Sequence, residues 1–340
     1  MDLDVFMAVG LKGMMMKLTS LALVKKTLLF FICFLSWGFV LCDTWPNKPV
    51  RLIVPIGSGS APDVVARLLG ERLGVLWGQA VVVDNRPGAG GVPGMSTLVR
   101  APGDGYTLGF VPAAIGTVTP LVFKNPQFNP DADLVVVATV GTSPLMLVTP
   151  SDNGILNLTD LARFSKANLG KVNFAAPQLN SLPHLAGEAV NKMGAMGIFT
   201  VPYPTPPAAI NAVLAGDAVL TADGVPSLIQ HVRAGKLRAL AVTSAQRLPG
   251  LDIPTVSETY PGYDIIGWFQ LMAPVSTPIQ IVEKINADVN KIMQQADIVA
   301  RLADLGIYPK LDSVSSAKQF FNEQQKAMKK LVIELNIQPQ

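Results

Sequence analysis

Two histidines, His184 and His231, and two cysteines, Cys33 and Cys42, bound the chemistry open to this chain. The histidines lie far apart, and both cysteines precede Asp43. A His-rich metal centre, a Cys-based metal site and a disulfide in the body of the chain are therefore excluded, and neither metal nor cofactor is expected. One histidine stands three residues after a serine, Ser181 and His184 in NSLPHLAGE (180–188). As nucleophile and base this pair has no orienting acid on its turn, and the chain has no G-x-S-x-G elbow. As a helix start it is more coherent. Asn180 or Ser181 can cap, and Pro183 falls in the first turn, where its missing N–H costs little. Backbone N–H groups and the helix dipole then favour an anion.

The same device stands earlier, in GSGSAPD (57–63). Ser60 and Asp63 have capping-box spacing, with Asp in place of the usual Glu or Gln, and Pro62 sits in the first turn. A dinucleotide fingerprint would need a third glycine where Pro62 stands. The second glycine-rich stretch, NRPGAGG (85–91), lacks the G-K-[ST] ending of a phosphate loop. A nucleotide is disfavoured, and both loops are read as backbone brought close to a small ligand or to a facing domain.

Positioning these residues requires alternating strands and helices. VRLIVPI (50–56), AVVVD (80–84) and YTLGFV (106–111) read as strands, and residues 61–77 and 93–101 as helices, a βαβαβ order that implies a parallel, doubly wound sheet. Further helices are expected near 184–193, 207–215, 278–295, 297–305 and 314–335, with strands at 218–222 and 237–243. Two extended runs, 134–149 and 267–274, read as crossings between domains. The expected division is residues 45–142 plus 268–340 in one domain and 143–267 in the other.

The chain has 340 residues, is 49% hydrophobic and 15% charged, and carries a net charge of +3. Four lysines and two aspartates precede Asp43, so the rest is nearly neutral, with 23 basic and 22 acidic residues. No Lys/Arg block or aromatic–basic stripe occurs, so nucleic-acid binding has no support. Lys17, Lys25 and Lys26 precede the apolar run TLLFFICFLSWGFVLC (27–42). Residues 1–42 are read as a secretory signal peptide, cleaved after Cys42, or as a retained or lipid-linked anchor, with Met14, Met15 and Met16 as alternative starts. The body is expected to be extracytoplasmic.

At these motifs the chain resembles the Bug (TctC-like) family of extracytoplasmic solute-binding proteins of tripartite tricarboxylate transporters. The resemblance runs from Trp45 nearly to the C-terminus. It rests on WPNKPVRLIVP (45–55), VVVDNRPGAGG (81–91), DGYTL (104–108), HLAGE (184–188), VPY (201–203), AGKLRALAVTSAQR (234–247) and IPT (253–255), in that order. It implies a periplasmic binding protein-like fold of type II: two doubly wound α/β domains joined by a two-stranded hinge, closing like a Venus flytrap on a small carboxylate, without catalysis. Carried over by position, the ligand-binding residues are Ser58, Gly59, Ser60 and Asp63 in the first loop, Pro112, Ala113 and Ala114 in its neighbour, Ser181 and His184 at the second helix start, Tyr203 as a cleft wall, and Asp223 in a facing loop. Tyr203 has a plain reading as core, and Asp223 as a turn-forming cap.

Three departures from the family pattern bear on the ligand. Gly57–Pro62 replaces a Pro-Pro-Gly-Gly type loop, Pro204 and Thr205 replace Lys-Gly, and Pro112–Ile115 replaces a loop rich in Ser, Thr and Gly. Fewer side-chain donors remain, which implies a less polar ligand or one held mainly by backbone. The implied partners are transporter permease subunits or, if the same fold serves sensing, a sensor kinase; a monomer is expected. The competing enzyme readings are a hydrolase using Ser181 and His184 and a Rossmann oxidoreductase, both opposed by the motif arguments above.

Overall fold

The computed structural model describes residues 45–339 except Asp264, and the leader read in residues 1–42 lies outside the described residues. From Lys48 onward the chain forms one unit, built on two mixed sheets. The first has six strands, in the order β11-β4-β10-β3-β1-β2. They are β1 (Val50–Val54), β2 (Val81–Asn85), β3 (Thr107–Pro112), β4 (Leu134–Ser143), β10 (Gly267–Pro274) and β11 (Tyr308–Pro309). The second has five, in the order β7-β6-β8-β5-β9: β5 (Leu145–Pro150), β6 (Asn173–Pro177), β7 (Phe199–Tyr203), β8 (Leu220–Gly224) and β9 (Leu237–Val242).

The first sheet is not wholly parallel. β1 pairs in parallel with β2 and β3, but β10 runs antiparallel to both β3 and β4. β10 is a returning strand, which no local βαβ pattern specifies. The second sheet repeats the plan, with β6 parallel to β7 and β8, and β5 antiparallel to β8 and β9. Alternate residues of β5 and β6 enter different clusters: Leu145, Leu147, Phe174 and Ala176 join one, Met146, Val148 and Ala175 the other. Apolar packing on both faces is what a period-two strand in a doubly wound sheet requires.

Helix α1 (Ala61–Trp77) buries Val65, Ala66, Leu69, Leu73 and Trp77, and the steps of three and four from Ala66 to Trp77 keep them on one face. Gly78, at φ 64°, ends it in the left-handed conformation. Short helices follow β3: α2 (Ala113–Thr117) and α3 (Thr119–Val122). In the second lobe α4 (Leu182–Met193) follows β6, and the last helix, α5 (Val314–Glu334), closes the chain.

Two chain crossings join the sheets. β4 passes into β5 through Pro144, and β10 returns beside it, with Gly267 opposite Ser143 and Trp268 opposite Thr142. Buried Gln270 in β10 donates to Thr139 Oγ1 (3.0 Å) and to the Ala317 carbonyl at the start of α5 (3.0 Å), tying the returning strand to its neighbour and to that helix. Ala317 and Phe321 of α5 pack with Trp268 in the first-sheet cluster, whereas Met328, Leu331 and Val332 pack with Leu145 and Val190 of the second. The helix therefore lies across both sheets.

Candidate functional site

The proposed ligand residues gather where parallel strands end. Ser58–Ser60 follow β1, Pro112 ends β3 and Ala113 and Ala114 follow it, Ser181 and His184 follow β6, Tyr203 ends β7, and Asp223 is next to last in β8. The carboxyl ends of strands in open α/β sheets are where such folds place ligands. Loops leaving β1, β2, β3 and β6 enclose a cavity of about 640 Å³. Its walls are Pro55–Gly57, Pro87–Gly91 and residues of α2 and α3 on one side, and Gln178–Ser181 on the other. Of the expected residues, Ala114 and Ser181 line it; Ser58, Gly59, Ser60 and Asp63 adjoin Gly57 but stand outside the wall.

The glycine-rich stretch after β2 is a packing turn. Gly90 and Gly91 adopt φ 61° and 86°. A Cβ at Gly90 would lie 2.6 Å from the Phe123 ring, and one at Gly91 2.7 Å from Ile115. Thr119 Oγ1 donates to the Gly90 carbonyl (2.7 Å). The turn is thus clamped onto the segment that follows β3, and only glycine permits both the close approach and the conformation.

The first helix start differs from the capping box its spacing suggests. Ser60 does not cap; its hydroxyl donates to the Gly57 carbonyl (2.8 Å). Asp63 reaches one residue too far back for a capping box, and its Oδ2 accepts the Gly59 N–H (2.8 Å). The same oxygen accepts from Arg67 Nε (3.0 Å), and Oδ1 accepts from Asn85 Nδ2 (2.8 Å). Burial raises the Asp63 pKa, but these hydrogen bonds and the Arg67 charge outweigh it and hold the carboxyl below its ordinary value. Asp63, only 2% exposed, joins the β1 loop, α1 and the end of β2. Arg67 and Asn85 were not singled out by sequence; Arg67, one helical turn after Asp63, is the signal that could have marked the pair.

The second helix start does follow its sequence. Ser181 caps α4, its Oγ accepting the His184 N–H (3.3 Å) and donating to the Pro177 carbonyl. His184 is buried, and its Nδ1 accepts the Asn180 N–H (3.0 Å), which places the ring proton of the neutral imidazole on Nε2. Burial lowers the His184 pKa, partly opposed by Glu188, whose Oε1 lies 3.8 Å from Nε2. The ring thus braces the Gln178–Asn180 loop, in which Gln178 and Asn180 hold φ 54° and 62°. The Gln178 N–H reaches the Tyr203 carbonyl (3.0 Å), joining the ends of β6 and β7.

Tyr203 packs half-buried against the second-sheet core, and Asp223 takes the Gly224 N–H on its own carboxylate (2.8 Å); neither lines the cavity. Burial raises the Asp223 pKa against hydrogen bonds from Gly224 and Ser227. At the departure after VPY, Thr205 accepts the Ala208 N–H and caps the helix Pro206–Leu214. Sequence reasoning passed over the part of the wall formed by Thr119, Phe123 and Leu179. No group of three or more His, Cys, Asp or Glu residues that could hold a metal occurs among the described residues.

A strand-end cavity between two mixed α/β sheets is a place where such folds bind small ligands, and similarity to known proteins gives the class. The model of the tripartite tricarboxylate transporter family receptor, TctC, matches residues 65–337. The chain belongs to this family. Its members are periplasmic binding proteins for small carboxylates that work with transporter permeases. Among relatives, BugT of Bordetella pertussis is 34% identical, over 84% of this chain and 88% of its own. Among solved structures, R. palustris Rpa4515 with adipate is 29% identical with a TM-score of 0.73, covering 87% of this chain and all of that one. MatC from Rhodopseudomonas palustris with bound malate is 26% identical with a TM-score of 0.67, covering 85% of this chain and all of that one. As a TctC receptor the chain has the fold of a two-domain periplasmic solute-binding protein, and its family is one of receptors rather than enzymes.

Proposed function

We propose that this TctC-family chain captures a small carboxylate in the cavity at the carboxyl ends of β1, β2, β3 and β6 and delivers it to a tripartite-type permease. The observation that carries this reading is the composition of the wall: backbone turns from both sheets, the Ser181 helix start, and no acidic side chain among the residues that line it. An anion meets the N-terminus of α4 and the side-chain amides of Gln178 and Asn180 there, and no like charge. Ser58–Ser60, Pro112, Ala113, Tyr203 and Asp223 stand at the same strand ends and come to the ligand when the lobes close. The lobes are residues 45–142 with 268–340 and residues 143–267, turning about Thr142–Met146 and Ile266–Gln270. His184 and Asp63 position the loops; no turnover is expected. Export through residues 1–42 places the body outside the cytoplasm.

Thermal unfolding of the protein from Asp43 onward, with a panel of carboxylates, tests the function. An acid at a hundredfold its Kd adds about 2.7 kcal/mol of stability, and the corresponding primary amide adds none. Equal stabilisation by acid and amide would overturn the reading. A sensing role is favoured instead if the loaded protein activates a histidine kinase and drives no uptake with the permease.

A further inference from the structure

Within the proposed carboxylate site, the side chains of the wall define what else the ligand carries. No lining residue is charged. Two hydroxyls face the space, and both are already committed: Thr119 donates to the Gly90 carbonyl and Ser181 to the Pro177 carbonyl. The remaining polar side chains of the wall, Gln178 and Asn180, lie on the loop beside Ser181. Polar capacity is therefore concentrated at one end. The opposite wall is Ile56, Ile115, Val118, Val122 and Phe123, and Leu179 stands 56% exposed at the tip of the loop that faces it. A large apolar side chain left in water across from an aromatic ring is a surface waiting for an apolar partner.

A second carboxylate on the ligand would find no cation in this wall. The one charged residue among the positions proposed to approach on closure, Asp223, is acidic, and the nearest cation on the β1 loop, Arg67, is held by Asp63. A charge taken from water without a partner is strongly disfavoured, whereas an apolar body loses nothing there.

We propose that the site selects monocarboxylates with a bulky apolar body, aromatic or alicyclic, with the carboxylate at the Gln178–Ser181 end and the body between Leu179 and Phe123. This rests on the carboxylate reading above. Titration calorimetry with benzoate, cyclohexanecarboxylate, acetate, succinate and benzamide tests it. Benzoate and cyclohexanecarboxylate should bind roughly tenfold or more tightly than acetate or succinate. Leu179→Ser, at an exposed position, should weaken benzoate by about tenfold and acetate by much less, because acetate has no apolar body to lose contact. Leu179→Arg should shift preference toward succinate by supplying the missing cation. Succinate binding as tightly as benzoate, or benzoate affinity untouched in both variants, would overturn this proposal and leave the carboxylate site standing. Benzamide binding as tightly as benzoate, or no acid binding at all, would remove the carboxylate reading and this proposal with it.

Discussion

Replacing Asp63 tests whether the loop after β1 is held by a buried carboxylate. In Asp63→Ala the Gly59 N–H, the Asn85 amide and the Arg67 guanidinium all lose a partner. Gly59 is exposed and recovers water, and the Arg67 side chain is 50% exposed. The donor losses therefore sit at the low end of the ~1–3 kcal/mol range for an orphaned group, and the ion pair adds under about 1 kcal/mol. The expected destabilisation is about 2–3 kcal/mol, read by urea unfolding. Asp63→Asn should recover only part. Its new NH2 must face either the Gly59 N–H or the Asn85 amide, and Asn85 cannot turn without losing Arg67 Nη2 (2.8 Å) and the Ile56 carbonyl (3.2 Å). Acid gives a second readout. Because the folded Asp63 pKa is lowered, its contribution is complete above the unfolded value of ~3.9 and disappears as pH falls through the folded value. The stability gap between wild type and Asp63→Ala should thus hold at neutral pH and narrow in acid. A variant within about 0.5 kcal/mol of wild type, or a gap that persists unchanged in strong acid, would refute the reasoning.

Ser181→Ala should cost about 1 kcal/mol through loss of the cap and weaken acid binding in calorimetry; unchanged affinity with lowered stability would confine Ser181 to structure. The lowered His184 pKa makes the neutral ring's contribution complete above ~6.5 and lost as pH falls from there through the folded value, so His184→Ala should flatten the stability–pH curve on that limb. Gly91→Ala must move Ile115 and adopt φ 86°, so thermal unfolding should show a loss of at least about 1 kcal/mol together with weakened ligand binding. Small-angle scattering should give a smaller radius of gyration at saturating acid, because a ligand touching both lobes favours the closed population; an unchanged radius would count against closure.

Long elements with strong period were legible: α1 was read at its observed limits of Ala61 and Trp77, and the cap at Ser181 followed from its local sequence. The start of α1 was misread because capping-box spacing does not reveal which backbone N–H the carboxylate meets; here it is Gly59, one residue early. β6 and β7 escaped notice. β6, Asn173–Pro177, is five residues with two alanines and shows no alternation. The wall formed by Thr119, Phe123 and Leu179 was hidden for a different reason. Helices α2 and α3 have five and four residues, too few to display a period. Leu179 looks like any loop leucine until the Phe123 segment is placed opposite it by β3 and β6, whose strands lie in different sheets.

A structure of the protein with the tightest-binding acid tests the central claim most directly. The carboxylate is expected beside Gln178–Ser181, enclosed by the turn Gly88–Gly91 and by α2 and α3. An acid bound instead in the separate cavity lined by Thr142, Thr243–Pro249 and Tyr308–Lys310 would contradict it.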